Sequence, residues 1–260
     1  MMTQDERLIF LLRDLLAERK EYEDIPVPDS LSEKRRLLRS LMNVRPPVPV
    51  REDFLRVQDA YLVDRLAERG VTRLKDLTPV RPGLYLWQGD ITTLKCDAIV
   101  NACNSQMLGC FSPMHACIDN FIHTYAGIEL RLKMHEIMTK QGHEEATGQA
   151  KITPGYNLPC NYVLHTVGPI VQGGLQRKHE ELLASCYRSC LELAEKYEVK
   201  SIAFCCISTG VFMFPNERAA EIAVRTVKKY YEDTGSRMKV VFNVFKDEDL
   251  AIYRTLLYHQ

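Results

Sequence analysis

Leu8, Leu11, Leu12, Leu15 and Leu16 recur at intervals of three and four, which predicts an amphipathic helix over about residues 5–20. The segment "EDIPVPDS" interrupts it, and Ser30 followed three positions later by Glu33 has the spacing of a capping box. A second helix, with Leu37, Leu38, Leu41 and Met42 on one side, should follow until Pro46 and Pro47 stop it. A third begins near Asp53, carries Phe54, Leu55, Tyr61, Leu62 and Leu66, and ends at Gly70.

After Pro82 the pattern changes to short apolar runs rich in Val, Ile, Phe and Tyr. Strands are expected at "LYLWQ" from Leu84, "DAIVNA" from Asp97, "QAKIT" from Gln149, "YVLHTV" from Tyr162, "SIAFCCI" from Ser201 and "KVVFNVF" from Lys239. Helical stretches are expected near 117–141, 178–197, 215–233 and 247–257. Interleaved strands and helices of these lengths predict crossover units and an α/β fold, a three-layer α/β/α sandwich. The chain therefore divides into a helical extension, 1–75, and one α/β domain, 76–260.

Composition narrows the function classes. Of 260 residues, 46% are apolar and 26% charged, the balance of an ordinary globular protein. Lys plus Arg equals Asp plus Glu at 34 each, so no long-range field favours nucleic acid or an anionic membrane. No apolar run approaches the roughly 20 residues of a membrane-spanning helix. The N-terminus lacks the form of a signal peptide, and nine cysteines without one imply free thiols in a reducing compartment, the cytoplasm.

Most of those cysteines should be small core hydrophobes, as for Cys205 and Cys206 at a strand end and Cys186 and Cys190 one helical turn apart. Cys110, His115 and Cys117 differ. They lie in a segment punctuated by Gly109, Ser112 and Pro113, where exposed thiols invite oxidation unless something occupies them. Two thiolates and an imidazole suit one Zn²⁺ per chain, and the absence of a fourth ligand nearby is the pattern of a reactive ion. A zinc nucleotide deaminase is excluded: it needs Glu two residues after the His, where Cys117 stands, and a downstream C-x-x-C that is missing.

Five segments in order, "GDIT" (89–92), "DAIVNACNS" (97–105), "IDNFIHTYAG" (118–127), "VLHTVGP" (163–169) and "ISTGVFMFP" (207–215), resemble a macrodomain of the MacroD type. "GCFSPMHAC" stands where MacroD-type members usually carry a glycine-rich run. That departure resembles the zinc-dependent subfamily, which usually also has an N-terminal helical extension.

The resemblance implies a mixed central sheet flanked by helices, ADP-ribose as ligand and hydrolytic release of ADP-ribose from modified protein side chains. It implies that Asp90 and Ile91 meet adenine, although Asp90 is equally a turn-capping residue. Ser208, Thr209, Gly210, Val211 and Phe212 form a strand–loop–helix junction whose N–H groups can cradle a diphosphate. Phe212 then lies against the ribose or simply packs in the core. Cys117, Ile118, Asp119 and Asn120 make the second anion-binding turn, at a helix start where Asp119 is also a natural capping residue. Asp119 and Asn104 are the implied catalytic pair: Asp119 orients or deprotonates the attacking group and Asn104 fixes the sugar. Asn101 is expected to tie down the loop, and His123 and His165 to be satisfied polar residues. Whether zinc polarises a ribose hydroxyl, the scissile linkage or a water stays open.

A reader that binds ADP-ribose without cleaving it, its zinc structural, is the main alternative; an interaction platform is another. For the subfamily, the resemblance implies a sirtuin-like ADP-ribosyltransferase and a lipoate-carrying H-like protein as partners.

Overall fold

The leucine stripe forms α1, Gln4–Ala17, in the computed structural model, which describes residues 2–258. Its N-terminus carries a complete capping box: Thr3 Oγ1 accepts from Glu6 N at 3.2 Å and Glu6 accepts from Thr3 N at 2.7 Å. At α2, Leu31–Val44, the expected box is half made. Ser30 Oγ accepts from Glu33 N, but the Glu33 carboxylate bonds the Ser30 hydroxyl, not its N–H. In α3, Glu52–Arg69, the chain stops at Gly70 with φ of 80°. The apolar faces of these helices close on one another around Leu12, Leu38 and Phe54, and Ile128 joins the cluster from the α/β part.

The α/β part is built on β2 (Leu84–Gln88), β4 (Ala98–Cys103), β5 (Ala150–Pro154), β6 (Tyr162–Val167), β7 (Ser201–Phe204) and β8 (Lys239–Val244). Their order is β2-β8-β7-β4-β6-β5. Every pairing is parallel except β5 with β6, which makes the sheet mixed. Two short strands, β1 (Thr72–Arg73) and β3 (Leu94–Lys95), pair separately. Ile99, Val100, Val163, Leu164, Ile202 and Val240 are fully buried, each contributing about 1.5–3 kcal/mol by leaving water. Helices α6 (Arg177–Lys196), α7 (Asn216–Thr234) and α8 (Asp247–Tyr258) pack side by side, while α4 (Ile118–Ala126) packs on β4 and on α5 (Ile128–Gln141).

Two expectations about elements change. The helix expected over 117–141 is two helices, because Gly127 adopts φ of 96° between them. A Cβ there would lie 2.6 Å from Gln58 Nε2, so the break also makes room for α3. The strand expected over 201–207 ends at Phe204, and the chain turns away through Cys205, Cys206 and Ile207. Among the described residues no helix is long and apolar enough to cross a membrane.

Parallel strands share a direction, so the loops after β2, β4, β6 and β7 leave one edge of the sheet. Those loops carry Asp90, the 104–117 segment, Gly168 and the 208–212 segment. Crevices at such C-terminal strand ends are where open α/β sheets receive ligands.

Candidate active site

Cys110, His115 and Cys117 converge. Their candidate ligand atoms all lie within 4.8 Å of one another, and Cys110 Sγ is 3.5 Å from His115 Nδ1. All three are half-buried and no disulfide joins them. Cys117 caps α4, its Sγ accepting the Asn120 N–H at 3.4 Å. Burial pushes the Cys117 thiol up to about 12; that amide lowers it in part, and Cys110 raises it again. Two thiols and an imidazole gathered this closely are the donor types that take Zn²⁺, and a bound cation turns thiols into thiolates, so the donor set fits Zn²⁺.

Asp119, two residues on, lies in the first turn of α4 and is buried. Burial pushes its carboxyl up to about 6, opposed by the Asn101 hydrogen bond and the Arg131 charge. Asn101 Nδ2 lies 2.8 Å from Asp119 Oδ1 and 3.2 Å from His165 Nδ1, while Thr153 Oγ1 is 2.9 Å from His165 Nε2. Asn101 thus holds the carboxylate and not the loop it was expected to tie down; its Oδ1 has no partner among the described residues. His165 is satisfied as expected, but His123 is not: both of its ring nitrogens are buried without a hydrogen-bond partner among the described residues. Its Nε2 is 3.6 Å from Asp119 Oδ1, and burial keeps the ring neutral. The ring packs directly against Gly109, where a Cβ would lie 2.8 Å from it.

Asn104 is placed apart from this carboxylate contact. Its Oδ1 accepts from Gln106 N (3.0 Å) and Met107 N (3.2 Å), and its Nδ2 donates to Gly109 O (3.3 Å), which shapes the loop leading to Cys110. One Nδ2 hydrogen is left over.

Free amides stand at two places. In α4 the N–H groups of Ile118 and Asp119 have no partner among the described residues, as first-turn amides do not. After β7, Thr209 N, Met213 N and Phe214 N bond within the turn, while those of Gly210, Val211 and Phe212 do not. Ser208 holds φ of 66° and its buried Oγ has no partner among the described residues. The Phe212 carbonyl accepts from Val171 N at 2.9 Å, and its ring is half-buried.

At the β2 end, Asp90 caps the short turn Ile91–Thr93, its Oδ1 accepting from Thr92 N (2.9 Å) and the Thr92 hydroxyl (2.6 Å). Arg69 Nη1 donates to Asp90 Oδ2 at 2.9 Å, and its guanidinium lies 3.5 Å from the Tyr125 ring centroid. The structure therefore uses the capping role, and Ile91 is buried beside it.

Sequence reasoning missed what supports the metal loop. Arg39, on α2, donates to His115 O at 2.9 Å and to Asn120 Oδ1, and lies over the Phe121 ring. Asn43 Oδ1 accepts from Met114 N at 3.1 Å. Arg131 donates to Leu108 O (2.7 Å) and to the carbonyls of Met42 and Asn43 at the end of α2, where cations are favoured. The available signal is positional: Arg39 and Asn43 flank the apolar stripe of Leu38, Leu41 and Met42.

Comparison with known proteins adds the family. The model described as Macro domain matches residues 100–223. A Treponema medium protein named protein-ADP-ribose hydrolase is 57% identical over 98% of this chain and 100% of its own length. A Staphylococcus aureus protein of the same name is 52% identical over 95% of this chain and 94% of its own. Among solved structures, a Trypanosoma brucei macrodomain in complex with ADP-ribose has a TM-score of 0.66 at 29% identity, covering 88% of this chain and 97% of that one.

Proposed function

The chain belongs to the macro domain family, and on that premise we propose that it is a zinc-dependent hydrolase that removes ADP-ribose from mono-ADP-ribosylated protein side chains. The observation that carries this reading is one cluster: Cys110, His115 and Cys117 gathered at the start of the helix that presents Asp119. Relatives of near-equal length that bear the hydrolase name support it.

The ligand's diphosphate is held between the N–H groups of Ile118 and Asp119, with Asn120 beside them, and those of Gly210, Val211 and Phe212, with Ser208 and Thr209 shaping the turn. Two sets of amides give a net-neutral protein its affinity for a dianion. Asp90 and Ile91 receive the adenine, Phe212 flanks a ribose, and the remaining Asn104 N–H holds the distal sugar. Cys110, His115 and Cys117 hold the ion, which supplies Lewis-acid polarisation or an activated water when bound. Asp119 accepts the proton of the attacking group; a carboxyl near 6 is largely ionised at neutral pH yet basic enough to serve. If the sugar leaves as a cation, the same carboxylate stabilises it.

The division into an extension, 1–75, and a catalytic domain, 76–260, belongs to this reading, as do a cytoplasmic location and partnership with a lipoate-carrying H-like protein and a sirtuin-like transferase.

A time course with ADP-ribosylated protein tests it, run with the native chain and with Cys117→Ala while metal content and ADP-ribose affinity are followed. The native chain should release free ADP-ribose catalytically, and the variant should lose metal and turnover together. Stoichiometric retention of the modified protein would make the chain a reader, and turnover undiminished by metal loss would make the ion structural.

A further inference from the structure

Between α2, α3 and α4 lies a cavity of about 170 Å³ whose lining includes Arg35, Arg36, Arg39 and Arg65, with Tyr61 and Tyr125, and no carboxylate. Four arginines on one small cleft are conspicuous in a chain whose formal net charge is zero, with Arg39 already held by His115 O and Asn120 Oδ1. Opposing them is chiefly Glu68, which pairs with both Arg35 (3.0 Å) and Arg65. Arg36 is exposed and has neither ion pair nor hydrogen bond among the described residues. Arg35 Nε is buried with no acceptor among the described residues. A buried donor without a partner is costly, so an oxyanion that reached it would be stabilised.

We propose that this cleft is a second anion site, separate from the diphosphate cradle, which takes a small phosphate-type anion between α2 and α3. Guanidinium forks match phosphate oxygens two at a time, which favours this chemistry over a lone monovalent ion. The volume is well under the roughly 300–1,000 Å³ of drug-sized pockets, so the occupant is a phosphate or pyrophosphate group and not a whole dinucleotide. Met114 and Thr124 also line the cleft, which places the anion beside the loop that carries Cys110, His115 and Cys117. The site stands on its own lining and does not require the hydrolase reading.

The test is calorimetric titration of pyrophosphate into the full chain saturated with ADP-ribose, at low salt, for the native protein and Arg36→Glu. The native chain should bind one pyrophosphate, more weakly as salt rises, and the variant at least about tenfold more weakly. Because Arg36 is exposed and unpaired, the variant should fold; as an independent readout, pyrophosphate should raise the native melting temperature and not the variant's. Orthophosphate and AMP run in parallel tell a free anion from one carried on a nucleoside, and binding of either that Arg36→Glu weakens supports the site. No binding by any of the three overturns it. So does pyrophosphate that ADP-ribose displaces and Arg36→Glu leaves unchanged, since that anion would occupy the diphosphate cradle.

Discussion

Arg39 Nη2 lies 2.7 Å from Asn120 Oδ1, and Arg39 Nε lies 3.2 Å from the same atom, so α2 grips the first turn of α4. The same Asn120 donates from Nδ2 to Ser112 O at 2.9 Å, inside the metal loop. One amide side chain therefore ties three pieces together: α2, the loop between Cys110 and Cys117, and the helix that presents Asp119. With Arg69 on Asp90 at the other end, two arginines of α2 and α3 reach both ends of the candidate site.

Arg39→Ala should consequently lower metal affinity and turnover by about 10- to 100-fold, the usual effect of removing a group that orients a ligand loop. Arg39→Lys restores the charge but not the fork, and should recover only part. Metal content by elemental analysis, set beside initial rates, checks this. Full zinc occupancy and a native rate in Arg39→Ala would show that α2 merely covers the Cys110–Cys117 loop.

Asp119→Asn should cut turnover by about 100- to 10,000-fold, the range for loss of a general base, while ADP-ribose affinity changes little. The amide keeps an oxygen to accept from Asn101 Nδ2, so the local geometry should persist. Rates on modified protein with parallel ADP-ribose titrations separate the two quantities. A variant that binds weakly and turns over normally once saturated would assign Asp119 to binding alone.

What the amino-acid sequence revealed follows from how local each signal is. Leu8 to Leu16 share one period, and the strands from Leu84 and Tyr162 are apolar runs, so their elements were legible. Cys110, His115 and Cys117 are rare ligand types within eight positions, and they meet as that spacing implies. Gly127 was not read as a break, because its conformation is set by Gln58 on a helix 69 positions earlier. Arg39 lies 81 positions from Asn120, and no periodicity states which flank of α2 meets α4. Asp90 shows the opposite limit. Its capping role was readable locally, while its partner Arg69 was not, because helix position alone does not say what an arginine will reach.

Glu129, at the start of α5, sits beside Asp59 of α3. Burial, then the charge and hydrogen bond of Asp59, push its carboxyl up from the ordinary 4.5 to about 7. A raised carboxyl keeps its proton in the folded chain when the unfolded chain has lost it. The stability this gives, full below about 4.5, is therefore lost as pH rises through about 7. Glu129→Gln cannot ionise, so it should melt above the native chain near pH 8, with the difference shrinking toward pH 5, about where the unfolded carboxyl titrates. Melting curves across that range decide it; a difference independent of pH would mean that the Glu129 carboxyl is not raised in the folded chain.

Gly168, after β6, approaches the turn at Ser208 so closely that a Cβ would lie 2.1 Å from Ser208 Oγ and 3.0 Å from Ile207 Cγ2. Gly168→Ala must displace Ser208, whose φ of 66° already departs from what a side chain prefers. That displacement re-aims the free amides of Gly210, Val211 and Phe212, so ADP-ribose binding should weaken by about tenfold or more, roughly the worth of one charge-assisted hydrogen bond. Zinc content should not change, because the metal loop leaves a different strand. Adding Ser208→Gly removes both the clashing oxygen and the strained side chain, and should return most of the affinity. Calorimetry on the single and double variants reads this directly. Should Gly168→Ala bind normally, the 208–212 turn does not hold the diphosphate; should the double variant fail to recover, the damage travels through Ile207 and not through Ser208.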